Sequence, residues 1–216
     1  MSDKQPAMQL YEQIKQDIAD FALPVGVPLK QAELAERYGV SRIPIRDVLQ
    51  KLKSEGWLTD CGKRGVMITP LSAVEAEDLY IIRMYLEPLI LAHAIPKISN
   101  QLLGQAADLL EQIDSNNSLS AAQQGELNWQ FHACLYQAAN RPTLYKAIAN
   151  LHLQCARYIG YHAVELDYLE TSQHQHYQLL EAIRDKQINK AKQILKQHIS
   201  DAGEILVDHL HQHMNF

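Results

Sequence analysis

Two groups of residues carry chemistry in their types and spacing. Arg42 and Arg46 stand four residues apart, directly after a Gly39-Val40-Ser41 turn. On a helix they would project from one face near its N-terminal end. A guanidinium there can donate two hydrogen bonds to O6 and N7 of a guanine in the major groove. Asn128 and His132 are also at i and i+4, while His176 and His198 flank a predicted turn near Gln187. Each of these two histidines lies about 11 residues from that turn, or ~16 Å along its helix at ~1.5 Å per residue. An antiparallel pair brings them back to one height. Three imidazoles and a side-chain oxygen could then hold a divalent first-row metal, zinc or nickel foremost. The spacing alone equally allows three satisfied polar residues with no ion.

The elements that must position these groups are helical. Residues 8–21 place Leu10, Ile14, Ile18 and Phe21 on one face, and the Pro24, Gly26 and Pro28 stretch ends that helix in a loop. A second helix spans about 31–38. A third starts at Ser41, a good N-cap, with Pro44 in its first turn and Val48, Leu49 and Leu52 facing the core. Residues 57–69 read as two short strands around a Gly62–Gly65 turn that carries Lys63 and Arg64. Three helices and a basic hairpin make a winged helix-turn-helix, with Pro70 as the boundary of a domain 1–70. After Leu71 the pattern is helical throughout, near 72–95, 99–113, 118–139, 142–162, 166–185 and 187–212. Breaks fall at Pro96, Ser115-Asn116-Asn117-Ser118, Asn140-Arg141-Pro142 and Asp185-Lys186-Gln187. The fold class is therefore mainly α, with an all-helical antiparallel bundle over 71–216, an architecture that builds ligand sites between facing helices.

Charge distribution supports the division. The whole chain carries −5, yet residues 1–70 hold ten Lys/Arg against nine Asp/Glu, and the remainder holds ten against sixteen. Within 37–64 there are seven basic residues and three acidic ones, a local +4 able to engage phosphates. Arg37, Ser41, Arg42, Arg46, Lys63 and Arg64 are the candidate DNA contacts. Cys61, Cys134 and Cys155 are odd in number and lack a CxxC spacing, which fits a reducing cytoplasm. No signal-peptide pattern and no apolar run of ~20 residues stand out, so a membrane partner is not expected. His93, His152, His162 and His174 read as surface or interface residues. His209, His211 and His213 form a terminal cluster that could take up metal adventitiously.

The stretch LAERYGVSRIPIRDVLQKLKSEGWL, followed by KRGVMI, resembles the GntR family of bacterial transcriptional regulators. Ile43 departs from it, standing where the family usually has Thr. Residues 71–212 resemble the FCD ligand-binding domain of the FadR-type subgroup through DLYIIRMYLEPLILAHA, NWQFHACLYQAAN and QHYQLLEAIRDKQINKAKQILKQHI. That resemblance implies a metal on Asn128, His132, His176 and His198, with Asn128 in place of the commoner Asp. It also implies that Arg83 faces an effector pocket, where its fork of N–H donors suits a carboxylate. The alternative for Arg83 is a surface i,i+4 pair with Glu87, worth little. Tyr80, Tyr136 and Arg157 are further candidate lining residues.

The expected function is a transcriptional regulator, a repressor by preference. Its homodimer would bind a pseudo-palindromic operator and release it when a small carboxylate binds. Two other readings are a metal-dependent enzyme fused to a DNA-binding segment and a regulator with a purely structural metal. Against the enzyme, the chain has no HExxH, no Glu-x-x-His pair of the di-iron type and no evident general base beside the proposed ligands.

Overall fold

A computed structural model describes residues 4–20, 22–116, 118–165 and 168–213. Phe21 and Asn117, together with the side chains of His162 and His213, lie outside the described residues. The chain divides into two compact units, Met1–Pro70 and Leu71–Phe216.

The first unit contains α1 (Lys4–Ala19), β1 (Pro28–Leu29), α2 (Gln31–Tyr38), α3 (Arg42–Ser54), β2 (Leu58–Asp60) and β3 (Val66–Ile68). Ile14, Ile45, Leu52 and Trp57 are fully buried and form its centre. Gly39 ends α2 in the left-handed region at φ 65°, which lets the Val40 N–H reach back to the Ala35 carbonyl at 3.0 Å. A residue without a Cβ adopts that backbone at no steric cost, and this closes the short turn between α2 and α3. Ser41 sits at the N-cap of α3 in an extended conformation, but its side chain makes no capping bond. Its exposed hydroxyl is left to solvent rather than spent on the helix.

The sheet order is β1-β3-β2, antiparallel throughout, with Thr59 opposite Met67 and Leu29 opposite Val66. The expected hairpin of β2 and β3 is therefore part of a three-stranded sheet with β3 at its centre. Its third strand is supplied by Pro28–Leu29, residues read from sequence as the end of a loop and the approach to α2. A two-residue strand beginning with proline has no alternation to reveal it, and its partner lies nearly forty residues away.

The second unit contains α4 (Ala73–Ala94), α5 (Asn100–Ser115), α6 (Ala121–Gln137), α7 (Pro142–Glu165), α8 (Leu169–Arg184) and α9 (Ile188–His213). Side-chain oxygens of Ser72, Ser99 and Ser120 cap α4, α5 and α6, and Ser120 with Gln123 forms a full capping box. Helix α4 is central, packing on α6, α7 and α9, while α8 lies against α5 and α9. The approach of α9 to α4 depends on Gly203: a Cβ there would sit 2.9 Å from the Tyr80 ring. At the far end of α4, the Lys186 ammonium donates to the carbonyls of Ile95 at 2.8 Å and Ile98 at 2.7 Å.

The stretch Ala73–Lys97 is long and apolar enough to cross a bilayer on composition alone, which the sequence reading overlooked. Half of its most apolar window is buried against neighbouring helices. It also carries Arg83 and Glu87 in the protein interior. It is the core helix of the bundle.

Candidate functional site

In the first unit the burial pattern of α3 sorts its residues. Ile45, Val48, Leu49 and Leu52 face the core, so Arg42, Ile43, Arg46, Asp47 and Gln50 face outward, and all five are exposed. Arg46 rests 3.6 Å from Asp47, with both side chains about two-thirds exposed. Such a pair in water is weak and gives way to a better acceptor. Lys63 and Arg64 are exposed in a 3₁₀ turn between β2 and β3, pinned at its base by Cys61 N–H to the Gly65 carbonyl at 2.7 Å. Arg37 is held differently, donating to Asp17 at 3.1 Å beside the Tyr38 hydroxyl, which donates to the same carboxylate at 2.7 Å. This cluster ties α2 to α1, so Arg37 has a structural duty as well as charge.

In the second unit, α6, α8 and α9 bring His132, His176 and His198 together, with candidate ligand atoms all within 4.8 Å of one another. All three rings are buried. Each Nδ1 has a neighbour that fixes its role. His176 Nδ1 lies 3.0 Å from Gln173 Oε1, and His198 Nδ1 lies 2.9 Å from Gln175 Oε1. An amide oxygen only accepts, so both imidazoles carry their proton on Nδ1. His132 Nδ1 lies 3.2 Å from the Tyr136 hydroxyl, which itself donates to Glu87 Oε2 at 2.7 Å. The Tyr136 oxygen is then left to accept, which assigns the same tautomer to His132. The glutamines are anchored in turn, Gln173 on Asp114 at 2.9 Å and Gln175 on Asp201 at 2.6 Å.

With the protons on Nδ1, the lone pairs lie on Nε2. Those of His132 and His176 are buried with no hydrogen-bond partner among the described residues. Orphaned buried acceptors are costly, and two of them converging with a third imidazole fit a metal ion. The donors are neutral imidazoles, already oriented by outer hydrogen bonds as metal-binding histidines are. Burial, opposed for His132 by Glu87, holds both histidines well below the ordinary imidazole range, so both are neutral and able to ligate. The residues present thus fit a divalent ion with nitrogen ligands.

Asn128 does not hydrogen-bond to the three rings. It lines the adjacent cavity with Tyr80, Arg83, Ser172, Gln173 and His198. Arg83 is buried there, its Nε donating to Glu87 Oε1 at 2.6 Å. The alternative of a surface pair is therefore corrected: Arg83 and Glu87 do pair at i,i+4, but on the interior face of α4, where both are buried. Burial alone would lower Arg83 and raise Glu87. Their mutual attraction outweighs this, and Glu87 falls well below the usual carboxylate range with help from His152. The Arg83 guanidinium also lies 4.9 Å from the centre of the Tyr80 ring.

Two candidates stand elsewhere than the sequence placed them. Tyr136 backs His132 and Glu87 rather than lining the cavity, and Arg157 pairs with Glu75 at 3.0 Å away from it. Tyr158 also hydrogen-bonds Glu75, so that corner is self-satisfied. One residue read as surface is buried. His152 stacks on Trp129 with ring centroids 4.0 Å apart, and its Nε2 lies 3.3 Å from Glu87 Oε1, close in charge terms though misaligned for a hydrogen bond. Glu87, joining Arg83, His152 and Tyr136, is the hub that sequence reasoning missed. Its spacing from Arg83 was the one available signal.

Residues 78–201 match the FCD domain family, and residues 6–68 match the bacterial regulatory proteins of the gntR family. The chain belongs to the GntR family. The Nta operon transcriptional regulator of Aminobacter aminovorans is 27% identical over 176 residues, 81% of each chain. The HTH-type transcriptional repressor RspR of Escherichia coli K12 is 24% identical over 201 residues, 91% of this chain and 86% of its own. Among solved structures, E. coli McbR/YncC aligns over 97% of this chain and 98% of its own, with a TM-score of 0.73 at 22% identity. This GntR chain is thus a winged helix-turn-helix transcriptional regulator with an FCD domain. Its relatives are regulators, and the reading as an enzyme falls away with them.

Proposed function

We propose that this GntR regulator is a cytoplasmic homodimeric repressor that binds a pseudo-palindromic operator through residues 1–70 and an effector through residues 71–216. The outward residues of α3 enter the major groove, with Arg42 and Arg46 on base edges, Ser41 on a phosphate, and Lys63 and Arg64 on the flanking backbone. Arg37 adds charge from the end of α2. In the bundle, His132, His176 and His198, with Asn128 as an oxygen donor, hold zinc or nickel. A small carboxylate occupies the cavity beside the ion. When bound, the ion supplies a fixed positive charge that polarises and holds an anionic oxygen. Arg83, immobilised through its Nε by Glu87, turns its remaining N–H donors to the ligand, and Tyr80 packs against the guanidinium.

The observation that carries the ligand half is the convergence of three commonly oriented imidazoles beside a cavity lined by Arg83 and Asn128. The repressor sign rests on the name of the E. coli relative RspR. Ligand can alter operator affinity only if it binds one dimer arrangement better than the other. The test is metal analysis of the purified protein, followed by band shifts on its own upstream DNA with and without organic acids. Loss of binding on adding one acid, abolished by Arg83→Ala, is the expected outcome. Full binding by the Arg42→Ala/Arg46→Ala double variant, or acid-independent binding throughout, would sink the proposal.

A purely structural ion is favoured by a different observation: of the three histidines, only His198 lines the cavity. A chelator separates the readings. If it lowers the melting temperature yet leaves acid affinity unchanged, the ion serves the fold alone.

A further inference from the structure

The outward ridge of α3 contains a residue that its surroundings do not explain. Ile43 is 66% exposed, among the most exposed large apolar side chains of the described residues. Its place on the helix is central. At ~100° per residue, Ile45, Val48, Leu49 and Leu52 define a core direction, and Ile43 points almost directly opposite it. Arg46 and Asp47 lie to its two sides, and Gln50 follows just under two turns further along the same ridge. Ile43 is also the second residue of the helix, in the first turn beyond the Ser41 cap, where a groove-entering helix comes nearest to base edges. A solvated isoleucine on that ridge contributes nothing to the core. Its branched apolar surface, set between charged neighbours, matches one feature of a base pair: the C5 methyl of thymine, which projects into the major groove and takes apolar contacts.

We infer that Ile43 is a specificity-determining residue that packs on a thymine methyl in each operator half-site. This rests on the reading of α3 as the helix that enters the groove. It makes the flanking arginines readers of guanine and Ile43 the reader of an adjacent or nearby T·A pair. Isoleucine discriminates by burial and not by hydrogen bonding, so the contact is lost when the methyl alone is removed.

The experiment uses the full chain. Binding sites are first selected from a random duplex pool. Each thymine in the preferred site is then replaced in turn by deoxyuridine, which lacks only that methyl. One thymine per half-site is expected to weaken wild-type binding about fourfold on replacement, the equivalent of one buried methyl-sized group. Ile43→Val should retain that sensitivity, and Ile43→Ala, an exposed change that leaves the helix intact, should lose it. The inference is overturned if a site is selected but no thymine methyl matters, or if Ile43→Ala keeps the full sensitivity. If no site is selected at all, the DNA-binding reading falls and takes this inference with it.

Discussion

Arg46 and Arg83 carry the same guanidinium into opposite surroundings. Arg46 lies 3.6 Å from Asp47 with both groups two-thirds exposed, so water and ions compete for each. Arg83 lies 2.6 Å from Glu87 with both groups buried, so each is the other's chief compensation. The first unit keeps its charges loosely paired on the surface, where an external polyanion can displace the internal partner. The second unit closes its charges into a network of Arg83, Glu87, His152, Tyr136 and His132, where any newcomer must fit the space left over. A reading surface and a ligand cavity thus call for opposite uses of one residue type.

The comparison breaks most visibly at Glu87. Glu87→Ala leaves the Arg83 guanidinium buried and uncompensated, and should cost about 3–5 kcal/mol in urea unfolding. The equivalent change at the surface, Asp47→Ala, should move stability by less than about 0.5 kcal/mol. Equal effects would mean that the Arg83 site is wetter than described.

Next in size is the metal. Zinc at about one hundred times its Kd should stabilise the wild type by about 2.7 kcal/mol, read as a rise in melting temperature. His176→Ala should abolish the rise. A rise that survives this change would move the ion elsewhere, to the terminal histidines for example.

Arg46→Ala should cost about 1–3 kcal/mol in specific DNA binding while leaving the unfolding midpoint in place. A parallel loss of stability would show that the surface unit is not as separable from its charges as the contrast demands.

Two glycines sharpen the same contrast at about 1–2 kcal/mol. Gly39→Ala has open space around its new methyl but must adopt φ 65°, so its cost is conformational. Gly203→Ala keeps a helical backbone but drives a methyl against Tyr80, so its cost is steric. Tyr80→Ala should relieve the second only in part, since it removes the ring but keeps the Tyr80 Cβ that would also lie 2.9 Å away, and should leave the first unchanged, as a double-mutant cycle would report.

The most gradual effect is in pH. In the chelated protein, His132 and His176 have folded-state pKa values lowered by burial from the ordinary 6.5, so they stay neutral while the unfolded chain takes up protons. Stability is therefore full above about pH 6.5 and is lost as the pH falls below it, by at most ~1.4 kcal/mol per imidazole for each pH unit. A melting temperature that is flat over this range would contradict the burial of these rings.

Much of this architecture could be read from local patterns. Pro, Gly and Ser punctuate the chain, and the helices predicted near 31–38, 72–95 and 187–212 match α2, α4 and α9 within a residue or so. The meeting of His176 and His198 was also legible, because a helical rise of fixed length turns sequence distance from a turn into height along a bundle, whereas spacing alone left the place of His132 open and the FCD resemblance supplied it. What escaped was anything set by a distant partner. β1 exists because β3 offers it an edge. His152 is buried because Trp129 and Glu87 cover it. Arg157 leaves the cavity because Glu75, at the start of α4, draws it away. Ser41 does stand at the N-cap it was expected to fill, because cap position is encoded locally, but whether the hydroxyl bends back to the helix is not.

Lys186 carries a consequence of another kind. Its ammonium is held by two carbonyl dipoles, at 2.7 and 2.8 Å, and not by a carboxylate. Such a contact displaces no counterions when it forms, whereas an interface made by Arg42, Arg46, Lys63 and Arg64 with phosphates would release them and weaken steeply as ionic strength rises. Concentrated salt should therefore wash this protein from a heparin or DNA column while the corner of the bundle that Lys186 fastens stays closed, so that the eluted molecule emerges folded and ready to bind again on dilution.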